Sequence, residues 1–134
     1  MQWSSGKNAG FSDANAEDLY LPVQENRENV ADQLEDENSL LNITKKLIHL
    51  RRNSHALSAE GTIEFLNRRY NGYPMVYRRS GNDGSYLICI NPTDREQSFA
   101  YPIATGEILM ENGHIQLQQD GLRMSPISYA IIKL

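Results

Sequence analysis

The sequence has little cysteine, no excess of positive charge and no long apolar run. Its one cysteine, Cys89, excludes an internal disulfide and a cysteine metal cluster. Lys and Arg number 13 against 17 Asp and Glu, a formal charge of −4, which does not suit a phosphate backbone as partner. No apolar stretch approaches the roughly 18 residues of a membrane span. The opening Met1-Gln2-Trp3-Ser4-Ser5-Gly6-Lys7 lacks the basic-then-apolar order of a secretory signal. The expectation is a cytoplasmic chain with no nucleic-acid and no membrane partner. Nucleophile-elbow, Walker and dinucleotide-loop motifs are missing, as are internal repeats. At 134 residues the chain is too short for a (β/α)8 barrel, which takes about 250. It is long enough to hide roughly two thirds of its unfolded surface.

What is present changes character along the chain. Residues 1–38 hold few aliphatic side chains and much Asn, Ser, Gly, Asp and Glu. Glu25, Glu28, Asp32, Glu35, Asp36 and Glu37 face only Arg27 as a base. Such an arm buries too little apolar surface to fold alone. Yet Trp3, Phe11, Leu19, Tyr20, Leu21, Pro22 and Val23 are too apolar for a free tail, which predicts an ordered loop lying on another surface. Over 39–54 the spacing of Leu40, Ile43, Leu47 and Leu50, widened by Leu41 and Ile48, predicts a helix. Asn38 or Ser39 can cap it. From Gly61 the period becomes two. Strands are expected at 62–66, 75–79, 86–91, 98–101, 107–111, 115–118, 122–124 and 129–134, separated by turn signals such as Asn71-Gly72, Asn82-Asp83-Gly84 and Asn112-Gly113. Seven to eight short strands at this spacing predict an antiparallel β-sandwich, with the apolar Leu87-Ile88-Cys89-Ile90 run at its centre.

The residues alone assemble no active site. Glycoside hydrolysis needs two carboxylates held about 5 to 9 Å apart across one bond, and an acid-rich arm reads instead as a solvated, cap-forming stretch. His49, His55 and His114 show no metal-ligand spacing, so no metal and no cofactor are expected. Cys89 in the most apolar strand reads as a small hydrophobe. Tyr70, Tyr73, Tyr77 and Tyr86 gather near the first hairpin. They read either as a sugar-binding platform or as fillers at the ends of the sandwich core, with hydroxyls at the surface.

One segment is more specific. Met1-Gln2-Trp3, four residues, then Asn8-Ala9-Gly10-Phe11-Ser12 resembles the M-Q-W-x4-N-A-G-F signature of α-glucosidase-type members of glycoside hydrolase family 13, the α-amylase superfamily. The likeness continues in order. Leu19-Tyr20-Leu21-Pro22-Val23 is similar to the trehalose-synthase form of the W-(I/L)-P-V segment, and Asn29-Val30 with Gln33 to the N-V-x-x-Q that follows. Residues 39–51 resemble the last barrel helix, Leu87 to Asn91 the central strand of the C-terminal β-domain, and Pro126 with Tyr129 to Leu134 its closing strand. Two positions depart: Ser4 replaces the Asp common in oligo-1,6-glucosidases, and Pro92 the usual Phe or Leu.

The resemblance implies a non-catalytic C-terminal fragment. The family's nucleophilic Asp, acid/base Glu and second Asp lie upstream of the M-Q-W segment, so no residue here is expected to be catalytic. It implies an extended arm at 1–38, the last barrel helix at 39–54 and a C-terminal antiparallel β-sandwich at 60–134. It places Gln2, Trp3, Asn8 and Phe11 near the mouth of the parent's cleft, beside an α-linked gluco-oligosaccharide. The missing barrel becomes the chain's intramolecular partner, and the β-domain stabilises it. Two alternatives stand beside this: a β-sandwich module binding α-glucan through the four tyrosines, and a structural module whose helix face pairs in a homodimer.

Overall fold

In a computed structural model, residues 2–24, 27–67, 72–103 and 105–134 are described. The chain divides into two compact units, Met1–Leu50 and Arg51–Leu134.

The first unit is loops and helix. A six-residue helix, α1, runs Val30–Glu35. Asn29 caps it: Oδ1 accepts from the Asp32 backbone N–H at 3.0 Å, and Nδ2 donates to the Asp32 carboxylate at 2.6 Å. The expected helix follows as α2, Leu40–Arg52. Its N-cap is Ser39, whose Oγ accepts from the Asn42 N–H at 3.2 Å. The Asn42 amide in turn donates to the carbonyls of Gln33 and Asp36, both at 2.8 Å, tying the end of α1 to the start of α2. Leu40, Leu47 and Ile48 of α2 are exposed, and no residue of the helix is buried.

The second unit holds all eight expected strands: β1 Thr62–Phe65, β2 Met75–Gly81, β3 Gly84–Asn91, β4 Gln97–Ala100, β5 Glu107–Asn112, β6 Ile115–Gln118, β7 Gly121–Met124 and β8 Ser128–Lys133. They form two antiparallel sheets, one ordered β1-β2-β3-β8-β5 and the other β4-β7-β6. The β3 run is central, as its two apolar faces predict. In β5, Ile108 and Met110 oppose the adjacent β8 residues Ile132 and Ile131, so Leu109 bulges out.

Register decides the faces. Val76 pairs with Cys89, Cys89 with Ala130, and Leu87 with Ile132. These side chains share one face of the larger sheet and join Ile103, Ile115, Leu122 and Met124 in the core. Asn91 closes the end of β3 although it is buried. Its amide donates to the Arg95 and Ser125 carbonyls, both at 2.8 Å, and its oxygen accepts from the Thr93 hydroxyl and N–H. Every polar atom of that side chain is therefore satisfied, as burial demands.

Candidate functional site

The loop that opens the chain is tightly folded. Asn8 (φ 50°, ψ 32°), Ala9 (φ 54°, ψ 30°) and Gly10 (φ 74°) are three successive left-handed residues. Gly and Asn adopt that region readily and Ala does not. Gly10 is further required by space: a Cβ there would lie 2.9 Å from Ser4 Oγ and 3.0 Å from Trp3 Cβ. The turn aims the Ala9 carbonyl back at the chain start, where it accepts from the Trp3 N–H at 2.9 Å and the Ser4 N–H at 3.3 Å. The Asn8 amide donates to the carbonyls of Ser12 and Ala14, both at 2.8 Å. Two further bonds run from Val30 N–H to Gln2 O and from Ala31 N–H to Trp3 O, each 3.0 Å, and pin residues 2–3 to the start of α1.

This loop, the chain that leads from it to α1 and the first turn of α1 line an open cavity of about 890 Å³. Its walls include Gln2, Ser4, Asn8, Asn29 and Asp32. Of the four residues nominated near a cleft, Gln2 and Asn8 therefore share one cavity. Trp3 and Phe11 do not wall it, and stand 50% and 52% exposed. Gln2 is held by its own amide, which donates to the Gln24 carbonyl. All the described acids of residues 1–38 are exposed. An acid that must stay protonated near neutral pH needs burial or a like-charged neighbour.

The tyrosines divide differently from expectation. Tyr77 pairs with Ile88 and Tyr86 with Arg79, so both sit on the face of the larger sheet turned away from the core. They do not fill the ends of the sandwich. Tyr86 is only 6% exposed and so cannot contribute to an open platform. Tyr77 is half-buried, with its ring 5.6 Å from that of Phe65 and tilted at 46°. Burial pushes its phenol above the usual value, with Arg79 opposing. Tyr73 is exposed, and Tyr70 and Asn71 lie outside the described residues. The same outer face exposes Ile63, Phe65 and Met75.

His49 and His114 are exposed, and His55 Nε2 lies 3.1 Å from the Glu60 carboxylate. Among the described residues no group of His, Cys, Asp and Glu could hold a metal ion. Cys89 is buried, and burial pushes its thiol up to about 12, which leaves negligible thiolate near neutral pH. One polar junction was not expected. Asp83, in the β2–β3 turn, accepts from Ser54 Oγ, His55 N–H and Ala56 N–H, each at 2.8 Å. The signal available for it was Asp83 in a turn with a Ser-rich segment just beyond the helix.

Residues 1–60 match the family model described as alpha amylase, catalytic domain. Across its whole length the chain is 31% identical to a glucan 1,6-alpha-glucosidase of Streptococcus dysgalactiae subsp. equisimilis. The chain belongs to the alpha-amylase family. A second relative in the family is a trehalose synthase/amylase of Mycobacterium tuberculosis, 33% identical over 77% of this chain and 18% of that protein. Among solved alpha-amylase-family structures, an isomaltulose synthase mutant of Erwinia rhapontici NX5 in complex with D-glucose matches the whole chain. Its TM-score is 0.78 at 29% identity, and the chain covers 24% of it. The trehalulose synthase MutB of Pseudomonas mesoacidophila MX-45 matches 98% of this chain and 24% of that one at TM-score 0.77 and 26% identity. The chain thus spans about a quarter of the length of the curated glucosidase it matches, 24%. Among the described residues no helix is long and apolar enough to cross a membrane.

Proposed function

We propose that this chain is the non-catalytic C-terminal part of an α-glucosidase-type member of the alpha-amylase family, and that its β unit stabilises the barrel it follows. The observation that carries the reading is where the family match stops. The catalytic-domain model accounts for residues 1–60, and β1 opens at Thr62. The chain equals only 24% of the glucosidase relative's length. In the whole enzyme, the pair of carboxylates that performs retaining glycoside hydrolysis or transfer would stand upstream on the barrel strands. The described acids of residues 1–38 favour the same division, since all are exposed and none of them has the burial that a general acid needs. The exposed Ile63, Phe65 and Met75 supply an apolar face of the kind a neighbouring domain covers. Substrate, in this reading, is an α-linked gluco-oligosaccharide approached by the loop of Gln2, Trp3, Asn8 and Phe11.

The test is an assay of the purified chain on p-nitrophenyl α-glucoside, maltose and isomaltose. The expected result is no turnover above buffer. Release of nitrophenol or glucose that scales with chain concentration would overturn the reading.

A further inference from the structure

We propose that the exposed apolar stripe of α2 pairs with the same stripe of a second copy of this chain, the two helices running antiparallel about a two-fold axis at Thr44. The pairing is that of the 134-residue chain and does not rest on the enzymatic reading. A barrel in the proposed whole enzyme would take the same face.

The stripe follows from spacing. Leu40, Thr44, Leu47, Ile48 and Arg51 recur at three- and four-residue steps, so they share one side of the helix. Leu40, Leu47 and Ile48 are all exposed. The tie to the end of α1 is made by Asn42, whose side chain leaves the opposite side of α2 and so leaves the stripe bare. Thr44, in the middle of the stripe, is no polar obstacle. Its Oγ1 already donates to the Leu40 carbonyl at 2.7 Å, so it brings a methyl group to a crossing helix.

Charge chooses the occupant. Glu35, Asp36 and Glu37 precede α2, Arg51 and Arg52 end it, and all five are exposed. Among the described residues the Glu37 carboxylate and the Arg51 guanidinium take part in no ion pair. Thr44 lies midway in sequence between Leu40 and Ile48, and also between Glu37 and Arg51. A two-fold axis there sets Leu40 of each copy against Ile48 of the other, and Arg51 of each against Glu37 of the other. A parallel pair would set like charges together at both ends. The chain thus carries its own complement in one of the two orientations, and a second copy always supplies it. The 13 residues of α2 make a helix about 20 Å long. One such pair buries less than the roughly 1,600 Å² of a standard interface, so the association is weak, with Kd in the micromolar range.

Sedimentation equilibrium of the intact chain, from about 1 μM to about 1 mM, tests this. The mass should rise from one chain toward two, and association should weaken several-fold between about 0.05 and about 0.5 M salt. Arg51→Glu or Glu37→Lys alone sets like charges together at both ends of the pair and should weaken association about tenfold. The double variant restores opposite charges across an antiparallel pair and should recover wild-type association. Both changes oppose the α2 dipole, so the recovery cannot come from a firmer helix. Ile48→Ala favours the helix and removes only apolar contact, and it too should weaken association. Far-UV circular dichroism checks that each variant keeps its helix and sheets. A one-chain mass at every concentration overturns the proposal. So does a double variant that associates no better than the single ones, and so does Ile48→Ala associating like wild type. Each of these outcomes leaves the no-turnover result standing, and turnover by the chain would leave the pairing standing, so the two readings fail separately.

Discussion

A carboxylate on the surface does little for stability unless its geometry collects several donors at once, and Asp83 does. Ser54 Oγ, His55 N–H and Ala56 N–H converge on its two oxygens and hold its carboxyl below the ordinary value, the Ser54 bond contributing most. The contact joins the segment after α2 to the β2–β3 turn, much as a cap residue serves orphan N–H groups. Because the folded pKa is depressed, the contribution is fully present above the unfolded value near about 3.9 and is lost as pH falls through the folded one. Asp83→Asn keeps the shape but replaces one acceptor oxygen with a donor. It should lower Tm by a few degrees at pH 7, and the gap from wild type should narrow as pH falls beneath the ordinary carboxylate value and Asp83 itself becomes protonated. Equal melting curves at pH 7 would show that the junction is passive. At this scale the sequence was partly legible. Cys89 reads as a buried thiol from its apolar neighbours alone. Asp83 reads only as a turn residue, because its partners lie 27 to 29 positions away.

At the scale of elements, period and punctuation carried most of the fold. The strands were visible because alternation and Gly/Asn/Asp turns recur, and α2 because its stripe runs through 13 residues. Helix α1 was invisible, since six residues cannot establish a period. The Asn29-to-Asp32 spacing was its only signal. The tyrosines show a second limit. Alternation tells which residues share a face, as Tyr77 with Tyr86 across from Val76 and Leu87, but not which face the second sheet will cover. That choice is made by residues such as Leu122 and Met124, far along the chain. Close packing of an element on a turn yields the next prediction. A Cβ on Gly81 would stand 2.6 Å from Ala56 N and 2.7 Å from His55 Nδ1, while Ala56 is fully buried. Backbone cannot yield there as a flexible side chain can, so Gly81→Ala should cost about 1–3 kcal/mol. Urea unfolding followed by circular dichroism measures it, and a midpoint equal to wild type would refute the close approach.

The whole molecule is uneven in what it buries. In Met1–Leu50 the buried described residues are Ala9, Asn29 and Ser39, one methyl group and two polar side chains. Its helices are six and 13 residues long, near or below the length at which an isolated helix is marginal in water. Arg51–Leu134 by contrast contains the entire core of Val76, Leu87, Cys89, Ile103, Ile115, Leu122, Met124, Ala130 and Ile132, together with the Ser54–Asp83 junction. The apolar side chains that look out of place in the arm, among them Leu21 at 70% and Tyr20 at 98% exposure, have no core of their own to enter. A unit without a core is held by local hydrogen bonds, and its opening free energy sits at the low end of the range. Residues 51–134 expressed alone should therefore keep a cooperative β-sheet melt within a few degrees of the intact chain. Limited proteolysis of the intact chain, read by mass spectrometry, should cut first within residues 1–50 and leave a resistant product beginning near Arg51. The converse pattern, a resistant 1–50 piece with early cuts among β2, β3 and β8, would mean that the first unit is stable without a further surface. The case for a barrel as its missing support would then lose its thermodynamic motive.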